Sequence, residues 1–146
     1  MAVTALSGAL HGVDAIPIEV EVDLLSRLPC ICIVGLAASA IKESAERIRS
    51  AIESSAEKFP AKRVVVNLAP ADVPKDGTAF DLPVALGVLA ANGCFDPGEL
   101  GKFISVGELS LGGALRPIRG ALSLAIMARD LGRSLLLPRQ NASQAA

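Results

Sequence analysis

The sequence has 146 residues, a length that suits one domain over residues 1–146 with a single core burying roughly 70% of the unfolded surface. Its aromatic residues are four Phe, with neither Trp nor Tyr, so we predict an aliphatic core. The 14 basic and 15 acidic side chains nearly cancel, which excludes a general electrostatic attraction of the whole chain to nucleic acid or to a membrane surface.

The first part of the sequence predicts three strands. Residues 2–9 are apolar enough for one strand, with Gly8 indicating a bulge or an early end. After a turn at His11, apolar and acidic side chains alternate over residues 16–24, which predicts a strand with one wet face. Residues 30–36 form a third apolar strand. We interpret His11, the one histidine of the sequence, as a solvated turn residue rather than a general base.

The three cysteines do not have the spacing of a metal site. Cys30 and Cys32 lie two apart in the third strand and therefore share a strand face, whereas Cys94 stands alone. A free cysteine behaves as a small hydrophobic residue. We therefore predict three buried, unpaired thiols.

Residues 38–57 change to a helical period. Oppositely charged residues lie four apart on one face, as in a solvated amphipathic helix. The other face is apolar, and Pro60 ends the pattern because proline cannot continue a helix. We predict a helix that covers one side of a sheet. The residues of its apolar stripe are Ile41, Ala45, Ile48 and Ile52.

Residues 67–83, NLAPADVPKDGTAFDLP, form the candidate functional loop. They follow a strand predicted over residues 62–69, whose three consecutive valines indicate burial on both faces and a central place in the sheet. A long charged loop between a buried strand and a buried helix is where a scaffold displays function. Its residue types do not name that function, since histidine, cysteine and a complete phosphate-binding glycine pattern are missing. The residues that we expect on the surface of the loop are Asp72, Lys75, Asp76, Gly77, Thr78 and Asp81.

Residues 82–91 are apolar all round, which predicts a buried helix. Pro83 fits only in its first turn, so Thr78 or Asp81 is the expected N-cap, and residues 92–93 close the helix. The run has about half the length needed to cross a bilayer. Because the N-terminus also lacks a basic segment followed by an apolar one, we expect a cytoplasmic protein.

A β-hairpin is predicted next. Residues 103–111 and 114–117 are two strand-like segments that flank Gly112 and Gly113. A Gly-Gly dipeptide can take the positive φ values of a two-residue hairpin turn. We therefore expect one hairpin with a turn of two residues.

Residues 118–131 predict a further helix that ends before Gly132. A short strand over residues 134–137 stops at Pro138. The closing letters NASQAA carry no stop signal, so we expect the sequence to continue in a longer protein. The apolar residues that we expect on one face of this helix are Leu122, Ala125, Ile126 and Leu131.

Four stretches of the sequence together resemble one known family. They read GLAASAIKESAERIRSAIESS, FPAKRVVVNLAPADVPKDGTAFDLPVALGVLAANG, GELSLGGALRPIRGAL and LPRQNASQAA. In this order they resemble the N-terminal region of the YifB/ComM family of magnesium-chelatase-like AAA+ ATPases. The resemblance implies an α/β (α+β) fold with a mixed sheet covered by helices, similar to the proteolytic domain of Lon and to the ribosomal protein S5 type of fold. It also implies a domain that precedes an ATPase module in its parent protein.

The likeness to Lon also identifies two catalytic positions. Lon-type proteases have a Ser in a PKDGxSAG pattern and a Lys shortly after a GE-hairpin-PIGG pattern, and the lysine activates the serine hydroxyl. In this sequence Ala79 stands at the serine position and Leu122 at the lysine position. The resemblance therefore implies a vacated catalytic dyad. Neither Thr78, one residue out of register, nor Ser110, without a basic neighbour in sequence, is expected to replace the nucleophile.

Two other functions stay open at this point. A GHMP-type kinase holds phosphates on a glycine-rich loop, for which residues 75–79 offer one glycine beside acidic side chains. A nucleic-acid-binding domain would use the basic residues, although the four Phe offer few platforms for base stacking. Among the basic residues, Arg116 and Arg119 are the first candidates, because they follow the hairpin that the resemblance places near the vacated dyad. The full set of basic candidates is Lys62, Arg63, Arg116, Arg119, Arg129 and Arg133.

The resemblance assigns the chemistry to the parent protein. No GxxxxGK[ST] loop occurs in the 146 residues, so we expect no cofactor and no metal here, whereas the ATPase module of the parent is expected to bind ATP and Mg²⁺. The family member ComM is associated with hexamers and with branch migration of DNA during natural transformation. We therefore expect a non-catalytic domain that contacts its own ATPase module and neighbouring subunits, binds DNA weakly at most and does not contact membranes.

Overall fold

A computed structural model describes residues 2–35, 37–55 and 57–145, apart from the side chains of residues 40 and 42. The strands, in chain order, are β1 Val3–His11, β2 Asp14–Leu25, β3 Cys30–Val34, β4 Arg63–Ala69, β5 Phe103–Ser105, β6 Glu108–Leu109, β7 Leu115–Arg116 and β8 Ser134–Leu136. The helices are α1 Ser39–Lys42, α2 Ala45–Ser54, α3 Asp81–Ala91, α4 Ala121–Asp130 and α5 Ala142–Ala145, with short 3-10 turns over Pro97–Lys102 and Arg139–Asn141.

The main sheet has six strands in the order β3-β4-β2-β1-β5-β8. Its pairs β1–β2 and β2–β4 are antiparallel, whereas β3–β4, β1–β5 and β5–β8 are parallel. Strands β6 and β7 form a separate antiparallel hairpin. Helices flank this mixed sheet, so the predicted α/β class is confirmed.

One face of the sheet carries the larger core. The alternation of β2 places Val20 and Val22 in this core, opposite Leu68 and Val66 of β4, while its acidic residues at positions 19, 21 and 23 point to the other face. Helix α3 packs here, and it comes so close that a Cβ on Gly87 would lie 2.5 Å from the side chain of Val22. The prediction that α3 is a buried helix is confirmed.

The opposite face carries a second, smaller core beneath α4. Leu124 and Met127 of α4 lie over Gly8 of β1, where an added Cβ would be 2.7 Å from both side chains. The glycine therefore leaves room for α4 and does not mark a bulge, because the pairing of β1 with β2 continues through it to His11. His11 is exposed, as predicted, but it is the last residue of β1 rather than a residue of the turn.

The helix predicted over residues 38–57 is divided into α1 and α2 by a turn at Glu43 and Ser44. The division comes from tight i to i+3 bonds, such as Ser44 N–H to the carbonyl of Ile41 at 3.0 Å. The apolar stripe is nevertheless retained, because Ile41, Ile48 and Ile52 are all buried. Spacing alone therefore identified the buried face correctly and the continuity of the helix wrongly.

Strand β4 is interior, as predicted, but it lies second from the edge, between β3 and β2. Val64 and Val66 are fully buried, whereas Val65 on the other face is half-buried. The prediction that β4 is buried on both faces was therefore wrong.

The predicted hairpin exists only in part. Strand β5 joins the main sheet, and the hairpin consists of β6 and β7 alone, connected by residues 110–114 rather than by a two-residue turn. Ser110 closes this connection, since its Oγ accepts a hydrogen bond from Ala114 N–H at 3.0 Å and its carbonyl accepts one from Gly113 N–H. Gly113 takes a φ of +89°, which a residue with a side chain rarely adopts.

Helix α4 begins at Ala121 and buries a different face from the one predicted. Leu122, Ile126 and Leu131 are exposed. The error arises because α4 is apolar on more than one side, so periodicity does not single out one face. The buried residues of α4 are Ala121, Leu124, Met127 and Ala128.

The cysteines are free, as predicted, but they are not buried. Cys30 is exposed and Cys32 half-buried because β3 is an edge strand, and Cys94 is exposed just beyond the end of α3. Among the described residues, no helix combines the length and the apolar character needed to cross a bilayer.

Candidate functional site

The loop between β4 and α3 divides into exposed and buried residues. Asp72, Asp76 and Gly77 are exposed, as predicted. Lys75 and Asp81 are only 1% exposed, so the expectation that both are displayed was wrong. Charged side chains are almost never buried without partners, and each of these two has its own set.

Lys75 fastens the loop to the connection between β3 and α1. Its Nζ donates hydrogen bonds to the carbonyl oxygens of Gly35, at 2.6 Å, and of Pro70. Its own carbonyl accepts a hydrogen bond from Ala38 N–H at 3.0 Å. Burial lowers the pKa of Lys75, and the nearby carboxylate of Asp72 partly opposes this. Lys75 therefore acts as an internal brace of the loop.

Asp81 joins two helices and the hairpin. Its Oδ2 accepts hydrogen bonds from Arg47 Nε at 2.9 Å and from the backbone N–H of Leu109 at 3.0 Å. Its Oδ1 accepts a third from Arg47 Nη2 at 3.1 Å. Asp81 is the first residue of α3, and the N-cap residue Phe80 forms no side-chain cap bond, so the predicted capping by Thr78 or Asp81 was wrong.

Burial and pairing act against each other on the Asp81 carboxyl. Burial raises the pKa of Asp81, and the hydrogen bonds from Arg47 and Leu109 lower it without cancelling the increase. The hydrogen bond to Asp81 in turn raises the pKa of Arg47. The side chain of Arg47 is 27% exposed, so the pair lies at the edge of the core.

The structure brings together the two motifs that carry the likeness to Lon. Gly107 N–H donates to the carbonyl of Ala79 at 2.9 Å, and Leu82 N–H donates to the carbonyl of Gly107 at 3.0 Å. Ala79 also packs against the smaller core under α4, whereas Leu122 lies exposed on α4. The loop and the segment before the hairpin therefore form one unit.

The two hydroxyl residues considered as substitute nucleophiles are half-buried. The Ser110 hydroxyl is occupied by the hairpin connection, where it accepts the bond from Ala114. Thr78 contributes its carbonyl to the turn that enters α3, through a bond from Asp81 N–H at 3.2 Å. Among the described residues, no cluster of His, Cys, Asp and Glu has the arrangement of a metal site.

The basic candidates do not form one continuous patch. Lys62, Arg116, Arg119, Arg129 and Arg133 are exposed, and Arg129 is paired with its neighbour Asp130 at 3.2 Å. Helix α4, about 15 Å long, separates the pair at its beginning from the pair at its end. Arg63 is half-buried, and its Nε has no partner within the described part of the chain.

Sequence reasoning missed two residues that shape this region, Arg47 and Asn141. Arg47 lies four residues after Glu43, a spacing that predicts a local pair on the helix surface. Its actual partner, Asp81, is 34 residues away in the sequence. Asn141 is buried and holds Ile118 by two hydrogen bonds of 2.9 Å. Its Oδ1 accepts one from the backbone N–H of Ile118, and its Nδ2 donates the other to the carbonyl of Ile118. A buried amide in the closing polar segment carried no signal in the sequence.

Comparison with known proteins places this architecture in a family. Residues 20–141 match the family model described as subunit ChlI of Mg-chelatase. The chain is 44% identical over 136 residues to the uncharacterized protein YifB of Salmonella typhimurium, covering 93% of this chain and 27% of that protein. It is 43% identical over 140 residues to competence protein ComM of Haemophilus influenzae, covering 96% of this chain and 28% of ComM.

A more distant relative is a Lon protease. The Lon protease of Protochlamydia amoebophila is 28% identical over 149 residues, which cover 97% of this chain and 17% of that protein. The chain thus spans only about a quarter of the length of YifB and ComM. It belongs to the family of the ChlI subunit of magnesium chelatase and corresponds to the N-terminal domain of the YifB/ComM proteins.

Proposed function

We propose that this chain is a non-catalytic domain of a ComM-like AAA+ ATPase, and that it helps the subunits to assemble or positions DNA or a partner protein at the ring. The similarity to a competence protein over 96% of the chain supports this reading. The ATPase activity, with its ATP and Mg²⁺, and any part in transformation belong in this proposal to the rest of the parent protein.

The proposal rests on one observation, that the buried charged residues of the loop are hydrogen-bonded within the fold. A hydrolase of the Lon type needs a nucleophile and a base with free hydrogen-bonding capacity at the loop. Here Ala79 and Leu122 supply neither group, and Lys75 and Asp81 are bonded within the fold. The loop therefore serves as a structural clamp, and we propose that the exposed surfaces of the domain act in recognition.

Activity assays and sizing together test the proposal. We expect the chain neither to hydrolyse casein or peptides nor to react with serine-directed fluorophosphonates, and stoichiometric labelling of Thr78 or Ser110 would overturn the non-catalytic part. The full-length parent should form larger assemblies with ATP than without it. Removing the domain should weaken that assembly or the binding of DNA or a partner; an unchanged ring with unchanged binding would remove the proposed role.

Nucleotide binding is tested separately by calorimetry. The kinase-like reading needs phosphates held at the start of α3, where Phe80 and Asp81 are buried and Asp76 adds negative charge. We expect no saturable binding of ATP or Mg²⁺-ATP by this chain. A dissociation constant below about 100 μM would favour the kinase-like alternative.

Direct DNA binding is the second candidate function, favoured by the exposure of Arg116 and Arg119 beside the hairpin. Because the basic residues are divided among separate surfaces, we expect a dissociation constant no tighter than about 10 μM at physiological salt. Replacing both arginines with Ala should lower the salt slope by about two if each meets a phosphate. Fluorescence anisotropy at three salt concentrations measures this, and submicromolar, salt-insensitive binding would mean that the domain itself reads DNA.

A further inference from the structure

The C-terminal end of α4 is surrounded by exposed apolar side chains. Leu131, the residue after α4, is 48% exposed, and Ile126 and Val13 are exposed beside it. Val13 lies in the β1–β2 turn, which Ser123 of α4 holds by a hydrogen bond from its Oγ to the Val13 carbonyl at 2.5 Å. Exposed apolar residues that adjoin in this way, with a polar rim, mark interaction surfaces.

Three shallow depressions follow one another around this end of α4, with volumes of about 350, 220 and 280 Å³. The first contains the two basic residues Arg129 and Arg133. The second shares Arg133 with the first and also contains Leu131 and the acidic Glu19. The third shares Leu131 with the second and contains Asp14 and Asp130. Arg133 therefore lies on one side of Leu131, with Glu19 in the same depression. Asp14 and Asp130 lie on the other side.

The charged residues on the two sides differ in whether they already form an ion pair within the chain. Arg129 and Asp130 are paired with each other at 3.2 Å, so their charges largely cancel. Arg133 and Asp14 are exposed and form no ion pair within the part of the chain that the structure describes. An unpaired positive charge and an unpaired negative charge thus lie on opposite sides of an exposed leucine.

We infer that this surface is a self-complementary contact for a second copy of the same chain. A two-fold axis near Leu131 would place the two copies of Leu131 against each other, and Arg133 of each copy against Asp14 of the other. In a two-fold contact each residue pair occurs twice, so a surface with opposite charges on either side of an apolar centre is complementary to itself. An apolar centre with a charged rim is also the usual composition of a protein interface.

The small apolar centre of the surface limits the strength of the contact. A stable interface of standard size needs about 800 Å² from each partner. That is roughly a tenth of the 7660 Å² that this chain exposes. Because the centre consists of few apolar side chains, we expect a reversible dimer in the micromolar range, weakened by salt that screens the rim charges. A two-fold contact joins subunits in pairs and does not by itself close a ring. It deepens the proposed assembly role as a pairing step and depends on that role only for its purpose.

Charge exchange in the 146-residue chain tests the contact, measured by sedimentation velocity over a concentration series up to about 1 mM. Arg133→Glu or Asp14→Arg alone places like charges together twice per dimer, and we expect the dissociation constant to rise about 10-fold or more. The double variant restores both ion pairs with their charges exchanged, so its dissociation constant should return to within about 3-fold of the original value.

Leu131→Asp should abolish the dimer, and Leu111→Asp is the matched control, since Leu111 is 60% exposed at the hairpin. Circular dichroism checks that each variant is folded. A monomeric original chain at about 1 mM, a double variant that does not recover, or a dimer that survives Leu131→Asp would each overturn the inference. In the full-length parent, ATP-dependent assembly that needs the domain but tolerates Arg133→Glu would sink this contact while leaving the proposed function intact.

Discussion

The Asp81 carboxylate connects α2, α3 and the hairpin, so replacing it by Ala tests the structural account of the site directly. Two groups lose their partner in Asp81→Ala, the backbone N–H of Leu109 and the guanidinium of Arg47. Leu109 is buried, and an unsatisfied buried donor costs about 1–3 kcal/mol. Arg47 is 27% exposed and can turn to water, so its loss adds only about 1 kcal/mol.

We therefore expect Asp81→Ala to lower the free energy of unfolding by about 2–4 kcal/mol, as measured by urea denaturation followed by circular dichroism. Asp81→Asn should cost less, because its amide oxygen can still accept the bond from Leu109. A loss below about 0.5 kcal/mol for Asp81→Ala would contradict the network, since exposed surface substitutions have effects of that size.

Arg47→Met adds a pH dependence whose sign follows from the pKa of Asp81. That pKa is raised in the folded chain, so the folded state binds a proton more readily than the unfolded state, and stability falls as the pH rises above the ordinary value of about 3.9. Arg47 lowers the pKa of Asp81, so its removal raises the pKa further and extends the fall to higher pH. The stability lost in Arg47→Met should therefore be small near pH 4 and larger near pH 8.

Arg49→Met on the same helix is the matched control for this pH dependence. Arg49 lies 4.4 Å from the ring centre of Phe59 and forms no ion pair in the described part of the chain. Its removal should therefore cost the same at both pH values. An equal loss at pH 4 and pH 8 for Arg47→Met would refute the assignment of an ionised Asp81 as its partner.

Three further predictions concern the loop, one turn and the thiols. Lys75→Met should lower the free energy of unfolding by about 2–3 kcal/mol, as measured by urea denaturation. Because the pKa of Lys75 is lowered in the folded chain, the unfolded state binds more protons at high pH, and the stability of the original chain should rise toward pH 10. Lys75→Met should remove this rise. Gly35→Ala should destabilise more than Gly77→Ala, since both have positive φ but only Gly35 abuts backbone. Cys94 should react with a thiol reagent more slowly than Cys30 near neutral pH, because partial desolvation of its thiol, although the residue as a whole is exposed, and the nearby carboxylate of Glu57 raise the pKa of Cys94.

Elements whose signals are local could be predicted from the sequence. The alternation in residues 16–24 gave the correct inward face of β2, and the apolar run with Pro83 in its first turn gave α3. Cys30 was predicted wrongly because its exposure depends on β3 being an edge strand, which is a property of the topology. The face of α4 was predicted wrongly because both of its sides are apolar and only the position of Gly8 shows which one meets the sheet.

The candidate site was harder to predict than the fold, because its decisive contacts join residues far apart in sequence. Lys75 binds Gly35 across 40 positions, and Asp81 binds Arg47 across 34. A charged residue in a polar loop reads as exposed unless its partners are known, and no local pattern reveals them. The motif placed the loop correctly between β4 and α3, but it predicted an exposed position for Lys75 and Asp81, which are both buried.

These interior roles mean that the form of the loop does not depend on catalytic residues. Lys75 and Asp81 bond to groups of the fold itself, so their contribution to stability does not depend on a hydroxyl at position 79 or an amine at position 122. Replacing either would leave buried hydrogen-bonding groups without partners, which destabilises a protein whether or not it is an enzyme. The PKDG segment can therefore be retained by folding alone, and its presence is no argument for hydrolysis. Recognition is better sought on the exposed end of α4 and at the hairpin, where charged and apolar side chains lie on the surface.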